Sequence, residues 1–184
     1  MNEELKKIFN QGNLVVYILW GALTFSQLIY AFLIFMHFMG DPGKDFEMIS
    51  SSPLALGNVL ILICFVAALL SAYFFNKNRD IVGLEQEMKA MDTKLDPNLQ
   101  LTPGQFEILS NASTDTMKFY NLRGRILTRY ILSWAFNEVL AICGVIGTVF
   151  GMERVHAYTF IATGITLNIL MFPKVKEQFE RLAK

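Results

Sequence analysis

Glu138 stands in the middle of WAFNEVLAICG, residues Trp134–Gly144, a stretch with no other Asp, Glu, Lys or Arg. The apolar run around it is Ile126–Met152, uncharged from Tyr130, and a helical rise of about 1.5 Å per residue puts the carboxylate near its centre. An ionised carboxylate at the middle of a bilayer costs roughly 2.5–3.5 kcal/mol on insertion scales. Glu138 should therefore carry a proton, pair with a cation or face a polar cavity. Gln27 occupies the middle of a second apolar run, and Thr24, three residues away, falls on the same helical face. Ser26 and Asn137 add oxygens at similar depth. A proton needs the carboxylate and one hydrogen-bond partner, whereas Na⁺ needs several oxygen ligands. Glu138, Gln27 and Thr24 are thus the expected H⁺ or Na⁺ site. The alternative use of Glu138 and Gln27 is structural, as hydrogen bonds between helices.

Other reactive side chains point to less. Cys64 and Cys143 both fall inside apolar runs, where small apolar packing is expected rather than a disulfide. His37 and His156 lie near the ends of two runs with Asp41 and Glu153 close by, but no HExxH or CxxC spacing accompanies them. The expectation is interface anchoring, with no metal and no cofactor. Phosphate-binding loops, a Gly-x-Ser-x-Gly elbow, paired catalytic carboxylates and Cys/His arrangements are all missing from the sequence, so enzyme activity is not expected.

The elements that must position these residues are long apolar helices. Hydrophobic residues make up 53% of the 184 and charged ones only 17%, which argues against a soluble domain. The runs 14–39, 54–75, 126–152 and 155–172 each approach or exceed the roughly 20 residues that cross a bilayer. The expected fold class is all-α, a polytopic membrane protein with four transmembrane helices, the fourth the shortest. It divides into a first hairpin (1–75), a helical cytoplasmic segment (76–125) and a second hairpin with a tail (126–184). The acidic and basic N-terminus and the length of the first run fit a retained span rather than a signal peptide.

Lys and Arg collect between Asn76 and Arg129 and again in the tail at Lys174, Lys176, Arg181 and Lys184, while Gly40–Pro53 is mainly acidic. The positive-inside rule then makes both termini and the middle segment cytoplasmic, in a cell (inner) membrane. Arg123, Arg125 and Arg129 mark that boundary or meet anionic lipid. The net charge of zero gives no case for nucleic acid.

A shift of 113 residues superposes YILWGALTFSQLIYAFLI on YILSWAFNEVLAICGVIG, which suggests two parallel repeats of a helical hairpin. Within the middle segment, Ile81, Leu84, Met88, Met91 and Leu95 recur every three or four residues. That stripe suits an amphipathic helix packed on a membrane surface or a neighbouring helix, or else a contact with a cytoplasmic protein partner. Asp96-Pro97 ends it, and Thr102-Pro103 and Ser113 or Thr114 offer N-caps for the helical stretch leading into the third run. Around Glu138, the small residues Ala135, Ala141, Gly144, Thr148 and Gly151, with Gly147 and Gly151 spaced as GxxxG, should let another helix approach closely.

EVLAICGVIGTVFG resembles the carboxylate helix of the proteolipid (c or K type) subunits of rotary ATPases, and SQLIYAFLIFMHFMG resembles the Gln-bearing helix of their four-helix forms. The resemblance covers about 35 residues in the first and third runs. It implies a ring or other homo-oligomer in lipid, with Glu138 as the ion-binding carboxylate and Gln27 as a ligand. Several features depart from that family. Cys143 replaces the usual aromatic, the second and fourth runs lack closely spaced glycines, and the Glu-bearing helix opens its hairpin. A middle segment of about 50 residues is also foreign to it. The expected partners are membrane lipids, a second copy of the chain and a cytoplasmic protein.

Overall fold

From Leu14 to Met36 no Asp, Glu, Lys, Arg, Pro or Gly pair interrupts the chain, and in apolar surroundings such a segment satisfies its backbone only as a helix. The computed structural model describes residues 3–40, 53–91, 107, 109, 111, 113–150, 152, 154–175, 177 and 178, with side chains left undescribed at 3–13, 37–40, 53–56 and 154. Among the described residues the fold is all-helical, with five helices: α1 Glu3–Gly40, α2 Pro53–Arg79, α3 Ile81–Ala90, α4 Thr114–Val149 and α5 Arg154–Leu170. Three contain segments long and apolar enough to cross a membrane, namely Leu14–Met36, Gly57–Arg79 and Thr114–Val149; Val155–Leu170 is a shorter apolar helix. These helices are compatible with a membrane protein.

Local chemistry sets the boundaries. Pro53 opens α2, where its missing N–H costs nothing. Asp80 separates α2 from α3: its carboxylate accepts from the Gly83 N–H at 3.0 Å, and its ψ of 89° breaks the helical path. Ser113 caps α4 by accepting from the Thr116 N–H at 3.3 Å. At the other end of α4 the Met152 N–H reaches back to the Gly147 carbonyl at 2.8 Å, the six-to-one bond that closes a helix C-terminus.

The chain forms two compact units. One comprises Met1–Leu19, Phe75–Ile131 and Pro173–Lys184. Its buried residues include Leu84, Met91, Leu109, Met117, Leu122, Ile126, Tyr130 and Val175. Arg129 Nη2 pairs with Glu87 Oε2 at 2.6 Å, and Lys77 stands 3.9 Å from the other oxygen of the same carboxylate. Asn78 donates to the Ile126 carbonyl at 3.1 Å and accepts on its own carbonyl from Gln178 Nε2 at 2.8 Å. The apolar stripe of α3 packs inward here: Leu84 and Met91 are buried, Ile81 and Met88 half-buried. Leu84 and Met91 are therefore taken up by the chain itself rather than displayed to a partner, as the neighbouring-helix use of the stripe requires. Leu95, Asp96-Pro97 and Thr102-Pro103 lie outside the described residues.

The other unit comprises Trp20–Phe74 and Leu132–Phe172. Here polar side chains share the interior with apolar ones, beneath an apolar exterior. Phe25, Leu28, Phe32, Leu33, Leu62, Phe65 and Leu69 are exposed, while Gln27, Ser71, Ser133, Asn137, Thr148 and Asn168 are buried. Contacts fix the directions of the four helical segments. Ser71 meets Ser133, while Leu60, Cys64 and Ala67 share a core with Leu140 and Cys143, so α2 runs antiparallel to α4. Asn137 with Asn168, and Gly144 with Ala157, make α5 antiparallel to α4 as well. Ser26 on Glu138 and Ile34 beside Ala141 make α1 parallel to α4.

The small-residue face divides into two uses. Ala141 and Gly144 lie against α5, and a Cβ added at Gly144 would meet the Ala157 carbonyl oxygen at 2.7 Å. Gly147 instead gives way to Met152, whose Sδ would lie 2.7 Å from such a Cβ. Its smallness serves the chain turn, not a helix crossing. Gly151 lies outside the described residues. Gly144→Ala is expected to lower stability by about 1–3 kcal/mol because backbone cannot yield, whereas Gly21→Ala, with nothing within 4 Å of the new methyl, should stay within about 0.5 kcal/mol. Denaturant titration of the two variants in micelles checks the contrast.

Candidate functional site

α1 and α4 run side by side in the same direction, so residues at equal depth on their facing sides come together. Ser26 Oγ lies 2.7 Å from Glu138 Oε1 and 2.8 Å from the Leu23 carbonyl of its own helix, so its one O–H is shared between two acceptors, and Tyr30 OH donates to the same carboxylate oxygen at 3.2 Å. The two donors sit four residues apart on α1, one turn of a helix, which is why both reach one carboxylate. Glu138 is half-buried. A hydroxyl can donate to a carboxylate and accept from a carboxyl.

The other residues expected at this site go elsewhere. Thr24 Oγ1 donates to the Trp20 carbonyl of its own helix at 2.8 Å, the usual way a helical threonine satisfies its hydroxyl. Gln27 is fully buried and its amide lies over Gly164 of α5; a Cβ there would meet Gln27 Oε1 at 3.2 Å and the Asn137 backbone oxygen at 2.8 Å. Glu138 is thus held by Ser26 and Tyr30, while Gln27 belongs to an adjoining cluster. The division follows from helix geometry: neighbours in sequence point about 100° apart, so Ser26 and Gln27 diverge on α1 as Asn137 and Glu138 do on α4.

That adjoining cluster is built of amides. Asn137 Nδ2 donates to Asn168 Oδ1 at 2.8 Å, and all three amide residues, Gln27, Asn137 and Asn168, are fully buried. Gln27 Nε2, Gln27 Oε1, Asn137 Oδ1 and Asn168 Nδ2 have no protein partner. Beside it, Met171 Sδ accepts from Ser71 at 3.1 Å, from Ser133 at 3.2 Å and from Asn137 at 3.6 Å. Two tryptophans complete the surround. Trp20 Nε1 donates to the Asn168 carbonyl at 3.0 Å, and Trp134 Nε1 to the Met171 carbonyl at 3.1 Å. Both carbonyls lie at the C-terminal end of α5, where intrahelical partners run out.

Tyr30 and Met171 are site residues that sequence reasoning did not single out. The i, i+4 spacing of Ser26 and Tyr30 was the available signal for the first. Methionine sulfur as an acceptor has no sequence signature. Among the described residues no three His, Cys, Asp or Glu side chains come together; His156 is exposed on α5, and the side chains of His37 and Glu153 and residue Asp41 lie outside the described residues. Cys64 and Cys143 are both free and buried in the packing between α2 and α4.

Comparison with protein-family models, curated proteins and solved structures found no match to the chain. The site is therefore interpreted from its own chemistry. Carbodiimide labelling of Glu138 in vesicles should be faster by about three- to tenfold in Ser26→Ala and Tyr30→Phe, which each remove one hydrogen bond of a strength near 1 kcal/mol. Thr24→Val should leave the rate at the wild-type value. Peptide mass spectrometry of the adduct reads all three.

Proposed function

We propose that this chain is a four-span integral membrane protein in which Glu138 binds and releases a proton within the membrane. One observation carries the reading: a carboxylate at the middle of an apolar run has two hydroxyls, those of Ser26 and Tyr30, within hydrogen-bond distance of one oxygen. A proton is favoured over Na⁺ because these contacts supply one carboxylate and two hydroxyls, fewer oxygens than a dehydrated cation requires. The resemblance of EVLAICGVIGTVFG and SQLIYAFLIFMHFMG to proteolipid subunits supports the same chemistry, with Glu138 as the ion-binding group. It also supports self-association of the chain in lipid, as a ring or a smaller homo-oligomer.

In this reading α5 is the fourth span, both termini and the segment from Asn76 to Arg129 are cytoplasmic, and the two hairpins descend from one duplicated unit. The chain is not an enzyme. A second reading, a non-transporting tetraspan scaffold, is favoured by the bond from Asn137 to Asn168, which ties α4 to α5 as a packing element does. Under it Glu138 fixes helix packing and the segment from Asn76 to Arg129 meets a cytoplasmic protein.

The two readings part at Glu138→Gln. Under the proton-site reading the variant folds and associates like the wild type, but loses carbodiimide reactivity and any proton flux across vesicles. Wild-type labelling should be fast at low pH, fall away at high pH and ignore Na⁺. Protection by Na⁺ would replace the proton with that cation. A carboxylate that never reacts, together with a Glu138→Gln chain that loses assembly, would overturn the reading in favour of the scaffold.

A further inference from the structure

Four polar atoms in the amide cluster need an explanation that the carboxylate does not supply. Gln27, Asn137 and Asn168 are each fully buried, yet two N–H donor groups and two carbonyl acceptors among them lack protein partners. Buried polar groups in folded proteins are almost always satisfied, by the chain or by a bound molecule. The inventory is balanced: Gln27 Nε2 and Asn168 Nδ2 donate, Gln27 Oε1 and Asn137 Oδ1 accept. Reversing any one amide exchanges its oxygen for its nitrogen and still leaves both kinds of group facing inward. A cation would meet N–H hydrogens here, and an anion would meet carbonyl oxygens. Water alone donates and accepts together at that size, and buried waters typically make about three hydrogen bonds to such groups.

We infer that Gln27, Asn137 and Asn168 form a binding site for ordered water within the helical unit. The site stands on the amides alone. Its use rests on the reading of Glu138 given above: Ser26–Gln27 on α1 and Asn137–Glu138 on α4 are sequence neighbours, so the amides and the carboxylate occupy adjoining faces of the same two helices. Asn137 belongs to both faces of this arrangement, since its amide holds Asn168 and touches Met171 Sδ.

Met171 makes the site measurable. Its thioether is only 6% exposed and lies 3.6 Å from Asn137 Nδ2, and methionine is readily oxidised to the sulfoxide. The full chain in vesicles would be exposed to brief X-ray pulses, which generate hydroxyl radicals from water where the water is bound. Sulfoxide at Met171 would then be counted against half-buried Met88 of α3 and apolar-face Met36 of α1. The expected result is oxidation of Met171 well above that of Met36, falling about tenfold in Asn168→Leu and in Gln27→Met as apolar groups displace a bound water, with Met88 unchanged. Two variants are used so that a folding defect in one leaves the other to decide. Met171 as protected as Met36 in the wild type, or equally oxidised in both variants, would overturn the water site. Because this readout does not need Glu138 to titrate, carbodiimide labelling of the same samples fails or succeeds separately, and the two inferences fall independently.

Discussion

The bond from Asn137 Nδ2 to Asn168 Oδ1 expresses the constraint on which this fold depends: in apolar surroundings, a polar group must find its partner inside the protein. Helices with Phe, Leu and Ile on their outer faces gain nothing from hydrophobic attraction to each other when lipid is as apolar as they are. Close packing and internal hydrogen bonds must bring them together instead. The unit of Trp20–Phe74 and Leu132–Phe172 supplies both. Gly144 and Gly164 admit neighbouring backbone and side chains, and Ser71, Ser133, Asn137, Asn168 and Met171 form a connected set of short polar contacts. Trp20 and Trp134 then occupy carbonyls at the end of α5 that its own helix leaves without donors.

The unit of Met1–Leu19, Phe75–Ile131 and Pro173–Lys184 follows the opposite rule. Its buried side chains are mainly Leu, Met, Ile and Val, with Arg123 buried among them. Glu87 gathers Arg129 and Lys77 at once. Arg129 and Glu87 are each less than one-quarter exposed, so this pair is better shielded from salt than an open surface bridge. One unit mixes amides and hydroxyls with apolar groups inside an apolar exterior, and the other buries mainly apolar side chains. One chain carries both, and α1, α2 and α4 each contribute residues to the two units.

Three of the expected spans were legible because hydropathy over some twenty residues is a sum, and sums survive local exceptions. The helix cap at Ser113 was legible for the same kind of reason, since a short polar side chain at a helix start has one dominant use. The membership of the site was only half legible. Gln27 and Glu138 announce themselves by their cost in an apolar run, but which groups meet depends on angle about the helix axis, and sequence fixes that only relative to the helix's own neighbours. Thr24 shares a face with Gln27, yet its hydroxyl is claimed by the Trp20 carbonyl four residues back. Tyr30 reads as one more aromatic ring in a lipid-facing run until parallel packing of α1 on α4 sets its hydroxyl beside Glu138. Gly147 reads as a helix-crossing glycine until Met152 folds back over it.

The separation of the carboxylate from the amides has a physical logic of its own. A carboxyl that changes protonation changes its charge, and a fully enclosed site would oppose one of the two states strongly through desolvation. Glu138 is only half-buried, and its partners are hydroxyls, which can donate to the anion and accept from the acid. Amides carry no charge to change, so Gln27, Asn137 and Asn168 can be buried completely without that penalty. Placing the two sets on consecutive residues of the same two helices keeps them adjacent while giving each the environment its chemistry tolerates. The alternation of Ser26 with Gln27, and of Asn137 with Glu138, turns the rotation between successive helical residues into a boundary between a half-buried carboxylate with hydroxyl partners and a fully buried set of amides.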